Sequence, residues 1–234
     1  MSLARLPFTL ATAVAFHVSA TPPKKPDVHE KVTSERLECL LRPSSRIATL
    51  IRGIYWTGTL FEVVNIIAAY IQSPSVPQIC PLGLPLNAPT PQTLSTAFIV
   101  GSALAVSGGL IRLMAYRALG RFYTHYLGLC KGHALITSGP YSVVRHPGYS
   151  GLVMCTLGIL CVHLSSGSWM RESVVMDLTS VRVLVLVWTV IVGAISVSAI
   201  WRVNEEDRMM RDRFGAQWVE WAGRVRYRLI PGIY

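Results

Sequence analysis

Long apolar runs constrain this chain before anything else does. A helix needs roughly 20 apolar residues to cross a hydrocarbon core of about 30 Å, and four segments meet that demand, at about residues 47–72, 94–115, 148–164 and 181–201. The third is short and reads as tilted, or as one arm of a hairpin with the fourth. The N-terminus supplies a fifth candidate. There Arg5 precedes an apolar run and Val18-Ser19-Ala20 resembles a signal-peptidase site, although a retained first span satisfies the topology better. Composition agrees: 51% of the 234 residues are hydrophobic and only 15% charged, with a mean hydropathy of +0.43. That is too little polar surface to wrap a soluble globule of this size. The sequence therefore predicts a single-domain, all-α integral membrane protein over residues 1–234. About five transmembrane helices are expected, the last two forming a helical hairpin, followed by a C-terminal amphipathic helix.

The net charge of +10 gains meaning from where the charges fall. Residues 21–46 carry Lys24, Lys25, Lys31, Arg36, Arg42 and Arg46, and residues 116–148 carry Arg117, Arg121, Lys131 and Arg145 with no acid. The tail from residue 202 is arginine-rich again. Residues 73–93 have no charge and six prolines, from Pro74 to Pro91, and read as a stiff extended loop. Basic loops stay cytosolic, so five spans place the proline-rich loop in the lumen, and the basic excess needs no nucleic acid to explain it. Cys39, Cys80, Cys130, Cys155 and Cys161 are scattered, which argues against a zinc site or a disulfide framework. No glycine-rich nucleotide loop, HExxH or GxSxG occurs.

Two polar clusters do not read as idle connections. The segment 133–151, HALITSGPYSVVRHPGYSG, is dense in Gly, Pro, His and aromatic residues. Gly139-Pro140 signals a turn, and Pro147 suits the first position of a helix, with Arg145-His146 just ahead of it. Such a helix start presents free N–H groups that can hold a carboxylate or another anion. Taken singly, Arg145 is equally an anchor for headgroups, and Tyr141 and Tyr149 an interfacial belt. The second cluster follows the last span, Ile200-Trp201-Arg202-Val203-Asn204-Glu205-Glu206-Asp207. Arg202 and Glu206 are four apart and share a helix face. Paired in water they would contribute only about 0.3–0.5 kcal/mol, whereas ionisable groups at the hydrocarbon edge are functional candidates. Beyond them Met210, Phe214, Trp218 and Trp221 or Ala222 recur at helical spacing, as packing residues of a helix that lies along the membrane or folds back on the core. His17, His29, His125 and His163 read as structural, and Glu62 as a polar contact between helices.

Taken in order, these motifs resemble the isoprenylcysteine carboxyl methyltransferase family. The family pattern H-x-L-x-T-x-G-P-Y-x-x-V-R-H-P-x-Y-x-G matches His133 to Gly151, R-x-x-E-E matches Arg202 to Glu206, and F-G-x-x-W/Y matches Phe214 to Trp218. The likeness covers about residues 119–234, and the upstream half matches only in general character. It implies an endoplasmic-reticulum enzyme with a cytosolic active site, in which S-adenosyl-L-methionine methylates the C-terminal carboxylate of a prenylated cysteine. The methyltransferase core would be residues 116–234 and the cofactor loop 133–151. Carried over by position, His133, Ala134, Leu135 and Ile136 would line the adenosine part. Tyr141, His146, Pro147, Gly148 and Tyr149 would hold the ribose and methionine parts, Glu206 a polar group of the cofactor, and Arg202 the acceptor carboxylate. One departure is Tyr126, which stands where relatives can present a glutamine to the cofactor.

The implied substrates are prenylated CaaX-type proteins or prenylcysteine, with membrane lipid around the protein and no metal. A carboxylate is already ionised at neutral pH, so the nucleophile needs no general base, and the work left is positioning and desolvation. The isoprenoid tail would enter laterally between spans. Phospholipid N-methyltransferases and sterol reductases resemble the same C-terminal architecture. An arginine facing the acceptor suits a carboxylate, prenylcysteine or another small lipophilic acid, better than an amine. A non-catalytic scaffold or a transporter is the reading from a different class, with Glu62 and Asn65 its only intramembrane hints.

Overall fold

The computed structural model describes residues 3–21, 28–31, 45–71, 94–123, 128–172 and 174–234. In chain order these form α1 (Arg5–Ala20), β1 (Val28–Lys31), α2 (Ser45–Ile71), α3 (Thr96–Leu119), β2 (Gly128–Cys130), α4 (Pro147–Leu164), α5 (Thr179–Phe214) and α6 (Ala216–Arg224). The proline-rich stretch, most of the first basic loop, His125 and Tyr126 lie outside the described residues.

Among the described residues three helical stretches are long and apolar enough to cross a membrane, Thr96–Phe122, Pro147–Leu164 and Thr179–Phe214. The protein is thus a helical membrane protein. Helices α1 and α2, with 16 and 27 residues, pack beside these three. Helices α3 and α4 form the most extensive pair. Glycines make this approach possible: a Cβ at Gly108 would strike the backbone of Cys155, and one at Gly158 the backbone of Ala105. The expected hairpin of the last two spans is correspondingly looser. Helix α4 touches α5 through Thr156 Oγ1 and Ser196 Oγ at 3.0 Å, but its close partner is α3. Phe16, Tyr55 and Trp188 form an aromatic knot joining α1, α2 and α5, with ring centroids 4.4–6.0 Å apart.

The all-α expectation needs one correction. Strands β1 and β2 pair antiparallel, Val28 opposite Cys130 and Lys31 opposite Gly128. Both lie in connections between helices, where the backbone has no helix to satisfy it, and pairing them supplies the missing hydrogen bonds. Neither segment alternates over enough residues to announce a strand.

Helix α5 sets the position of the second polar cluster. Its 36 residues rise about 54 Å at 1.5 Å each, well beyond a hydrocarbon core of about 30 Å. Its apolar part exposes Leu186, Val190, Val197 and Trp201, a surface suited to lipid, and its last turns carry the polar cluster from Arg202 onward. Gly215 stops it with φ of 53°, a conformation open to glycine at little cost. The chain then reverses into α6, so the amphipathic segment folds back on the core. There Trp218 and Trp221 are buried with Val225 against Leu135 and Tyr141.

Candidate active site

Two segments far apart in sequence meet where α4 begins. In the loop before it, Gly139 has φ of 62° and Tyr141 donates its N–H to the Ser138 carbonyl at 3.3 Å, a tight turn that leads into Arg145-His146. The C-terminal tail runs alongside: the N–H groups of Arg145 and His146 donate to the carbonyls of Tyr227 and Arg228 at 3.0 and 2.9 Å. Ser150 Oγ donates to the Leu229 carbonyl at 2.6 Å. Helix α4 opens on Pro147, and its N-cap, His146, makes no side-chain cap, because its ring is used elsewhere. Beneath the turn Arg112 donates to the carbonyls of Gly148 at 2.7 Å and Ser19 at 2.6 Å, tying α4 to α3 and α1.

The end of α5 approaches this turn from the other side. Tyr149 donates its hydroxyl to Glu206 Oε2 at 2.6 Å, and the Tyr149 ring stacks on His146 with centroids 5.8 Å apart. His146 Nε2 lies 2.9 Å from Asp207 Oδ1, and its Nδ1 lies 3.9 Å from Glu206 Oε1. Asp207 Oδ2 also receives Arg145 Nη1 at 2.9 Å and Arg228 Nε at 3.3 Å. One buried carboxylate therefore joins loop, helix and tail, a charge-assisted set of contacts of the strong kind.

Of the residues expected in the site, the structure brings His146, Tyr149 and Glu206 into contact. Arg202 lies one helical turn before Glu206, half-buried, where its charge reaches Tyr149 and Tyr123. His133 sits between the rings of Phe122 and Phe214, at 5.0 and 6.0 Å. Leu135 and Tyr141 rest on the Trp218–Trp221 cluster, and Trp221 Nε1 donates to the Tyr141 carbonyl at 3.2 Å. Ile136 is half-buried and Ala134 exposed. Pro147 is buried, and the Gly148 carbonyl is bound to Arg112, so both hold the helix start. A cleft of about 210 Å³ opens on the other side of Asp207, lined by Asn204, Asp207, Arg208, Arg211, Trp218 and Arg228, with none of the expected site residues on its wall.

Three participants escaped the sequence reading. Asp207 was legible only as the third acid of a surface-like run, Arg228 as one of several tail arginines, and Arg112 as a stray cation in an apolar helix. An isolated arginine inside a span is the signal that could have exposed the last.

Electrostatics centre on Glu206. Burial pushes the Tyr141 phenol well above its ordinary value, and the Glu206 charge adds to the rise. Burial lowers His133, against the pull of Glu206 and with the help of Arg213. Arg145 is lowered by burial and by Arg228, with Asp207 opposing. A single carboxylate thus projects its field over the phenol of the loop and the imidazole at its start, while its own side chain stays one-third exposed. Such a group suits a cationic or hydrogen-bond-donating ligand.

Residues 101–211 match the family model described as the isoprenylcysteine carboxyl methyltransferase family, a span that runs from α3 through the site on α5. Protein-S-isoprenylcysteine O-methyltransferase B of Arabidopsis thaliana is 28% identical over 130 residues, 53% of this chain and 55% of that protein. Protein-S-isoprenylcysteine O-methyltransferase A of the same plant is 27% identical over a stretch of the same extent. A probable protein-S-isoprenylcysteine O-methyltransferase of Oryza sativa subsp. indica is 39% identical over 72 residues, 29% of this chain and 38% of that protein. The chain spans about half the length of the Arabidopsis relatives and less of the rice one. The matched region holds the loop 133–151 and the Arg202 to Glu206 cluster, and over it the chain is similar to the isoprenylcysteine carboxyl methyltransferase family.

Proposed function

We propose that this protein transfers a methyl group from S-adenosyl-L-methionine to the C-terminal carboxylate of a prenylated cysteine, at the cytosolic face of the endoplasmic reticulum. The observation that carries the reading is the meeting of the two motifs, Tyr149 on Glu206 at 2.6 Å and His146 on Asp207 at 2.9 Å. Arg202 stands one turn away on the membrane side. The relatives' names support the same acceptor.

The residues present fit the cofactor. His133 between two aromatic rings, with Leu135 and Ile136 half-buried beside it, offers an apolar slot of the kind an adenine takes, and Glu206 offers a carboxylate for an ammonium. Tyr141, His146 and Tyr149 would flank the ribose and methionine parts, with Pro147 and Gly148 holding the helix start beneath them. When bound, S-adenosylmethionine supplies an electrophilic methyl on a sulfonium sulfur. Arg202 holds and aims the acceptor carboxylate, which is ionised at neutral pH and needs no base. Packing of α6 over the loop buries Trp218 and Trp221 against Leu135 and Tyr141, which shields that side of the loop from water. The apolar face of α5 lets an isoprenoid chain approach from the bilayer, each buried CH₂ contributing about 0.8 kcal/mol.

The reading keeps α1 and α2 as two further crossings, five in all. Consistent with it, Ser19, Arg112 and Gly148 meet at one end of the bundle, and Arg5, Glu62 and Ser166 at the other. The first end carries the basic connections and is the cytosolic one by charge. The test is to incubate membranes carrying the protein with labelled S-adenosylmethionine and N-acetyl-farnesylcysteine. A base-labile methyl ester is expected; label that appears only in phospholipid, or no label at all, overturns the assignment.

A further inference from the structure

The two nitrogens of His146 face the carboxylates of consecutive residues on α5, and the two contacts differ. Nε2 is hydrogen-bonded to Asp207 at 2.9 Å, whereas Nδ1 is 3.9 Å from Glu206 Oε1, outside hydrogen-bond reach. Asp207 also holds two guanidiniums, those of Arg145 and Arg228. A carboxylate facing these donors accepts at its oxygens. The proton in the His146–Asp207 bond therefore belongs to Nε2. Beside it Glu206 accepts the Tyr149 hydroxyl, and Arg202 lies one turn earlier on the same helix.

We infer that Asp207 is a positioning residue that fixes His146 as the Nε2–H tautomer and turns the Nδ1 lone pair toward Glu206. Two acceptors then face each other across 3.9 Å, a gap that one ligand donor, an ammonium or another N–H group, bridges. Without Asp207 the ring is free to place its proton on Nδ1 and satisfy Glu206 itself, closing the gap to the ligand. This is the second-neighbour control of a histidine familiar from metal and catalytic sites, where the far nitrogen's partner decides what the near nitrogen can do. The consequence for the cofactor rests on the methyltransferase reading; the tautomer does not.

The experiment uses the full chain in lipid nanodiscs, with histidine labelled by ¹⁵N in the ring. Loss of a resonance in His146→Gln identifies it among the six histidines. At neutral pH the wild type is expected to show His146 with Nε2 protonated and Nδ1 bare. A doubly protonated ring or an Nδ1–H tautomer overturns the proposal. Asp207→Asn, whose amide can donate as well as accept, should lose the single tautomer, and Asp207→Glu should restore it; an unchanged spectrum in Asp207→Asn also overturns the proposal. In kinetics Asp207→Asn should raise the KM for S-adenosylmethionine on the order of 10–100-fold, the range for a lost second-neighbour partner, with kcat little changed. Wild-type protein that binds no S-adenosylmethionine sinks the methyltransferase reading, while the wild-type spectrum still decides the tautomer. If Asp207→Asn does not fold, that spectrum carries the test by itself.

Discussion

Buried charges gather at both ends of this helical bundle, and the two gatherings are built differently. At the end away from the site, Arg5 is fully buried and lies 3.8 Å from Glu62. It donates to the Ser166 carbonyl at 3.3 Å and covers the Phe98 ring at 4.1 Å, while Glu62 accepts the Trp169 N–H at 2.6 Å. Those partners come from α1, α2, α3 and the connection after α4, and both charged groups are buried among them. At the other end Asp207 likewise spends its charge on two guanidiniums and the His146 ring, but Glu206 beside it keeps an oxygen with no hydrogen bond within the described contacts and a third of its surface open. One end is a lock between helices. The other is a lock with a partly exposed carboxylate set next to it, and that contrast separates a structural ion pair from a candidate active site better than burial does.

The largest expected effect breaks the first lock. Arg5→Ala leaves Glu62 charged and unpaired among apolar helices, and removal of one partner from a buried pair costs about 3–5 kcal/mol. Thermal unfolding in micelles should show this loss, while the KM for S-adenosylmethionine in the folded fraction stays put. Replacing both groups, Arg5→Met with Glu62→Leu, should recover the stability, because a well-packed apolar pair is often as good as a buried ion pair. A double variant as unstable as the single one would mean that the pair is needed for more than packing. Arg202→Ala should behave in the opposite way. Its unfolding temperature should barely move, while kcat/KM for the prenylcysteine acceptor falls by about a hundredfold or more, as expected when a charged partner of a desolvated carboxylate is truncated. Full activity in that variant removes Arg202 from the site.

The same contrast explains what could be read in advance. The places of α3, α4 and the apolar part of α5 were legible because bilayer thickness fixes the length of an apolar span, and Pro147 marked the start of α4 to the residue, whereas the extension of α5 beyond residue 201 to Phe214 was not. The R-H-P-x-Y and R-x-x-E-E strings pointed to a candidate site because ionisable groups at the hydrocarbon edge are functional candidates, and the structure brings the two strings together. Asp207 and Arg228 were not legible, since their roles depend on the reversal at Gly215 that brings the tail back over the loop. Nothing local in Arg224 to Tyr234 signals that its backbone will pair with Arg145 and His146. The strand pair escaped for a related reason, two short segments about a hundred residues apart that define each other only in space.

A smaller effect sharpens the account of Glu206. Tyr149→Phe deletes the 2.6 Å hydrogen bond and leaves the ring stacked on His146. A hydrogen bond to a charged group is worth about 1.5–3 kcal/mol, so the KM for S-adenosylmethionine should rise by about tenfold or somewhat more, with the unfolding temperature nearly unchanged. An unchanged KM would mean that Glu206 is positioned by its helix without help from the loop.

The smallest effect is in pH. Burial holds the His133 imidazole below its ordinary value of 6.5, Glu206 opposes the shift, and Arg213 deepens it. The unfolded chain therefore binds more protons at this residue than the folded one once the pH falls below the ordinary value, so the stability that goes with the neutral ring is complete above that pH and is lost as the pH drops. The same proton would put a positive charge between Phe122 and Phe214, in the slot proposed for adenine. Affinity for S-adenosylmethionine, followed by calorimetry, should weaken between pH 7 and 5.5 in the wild type and weaken less in His133→Gln. The difference between the two curves reports His133 by itself, whatever His146 does in the same range, and coincident curves would place the adenine elsewhere.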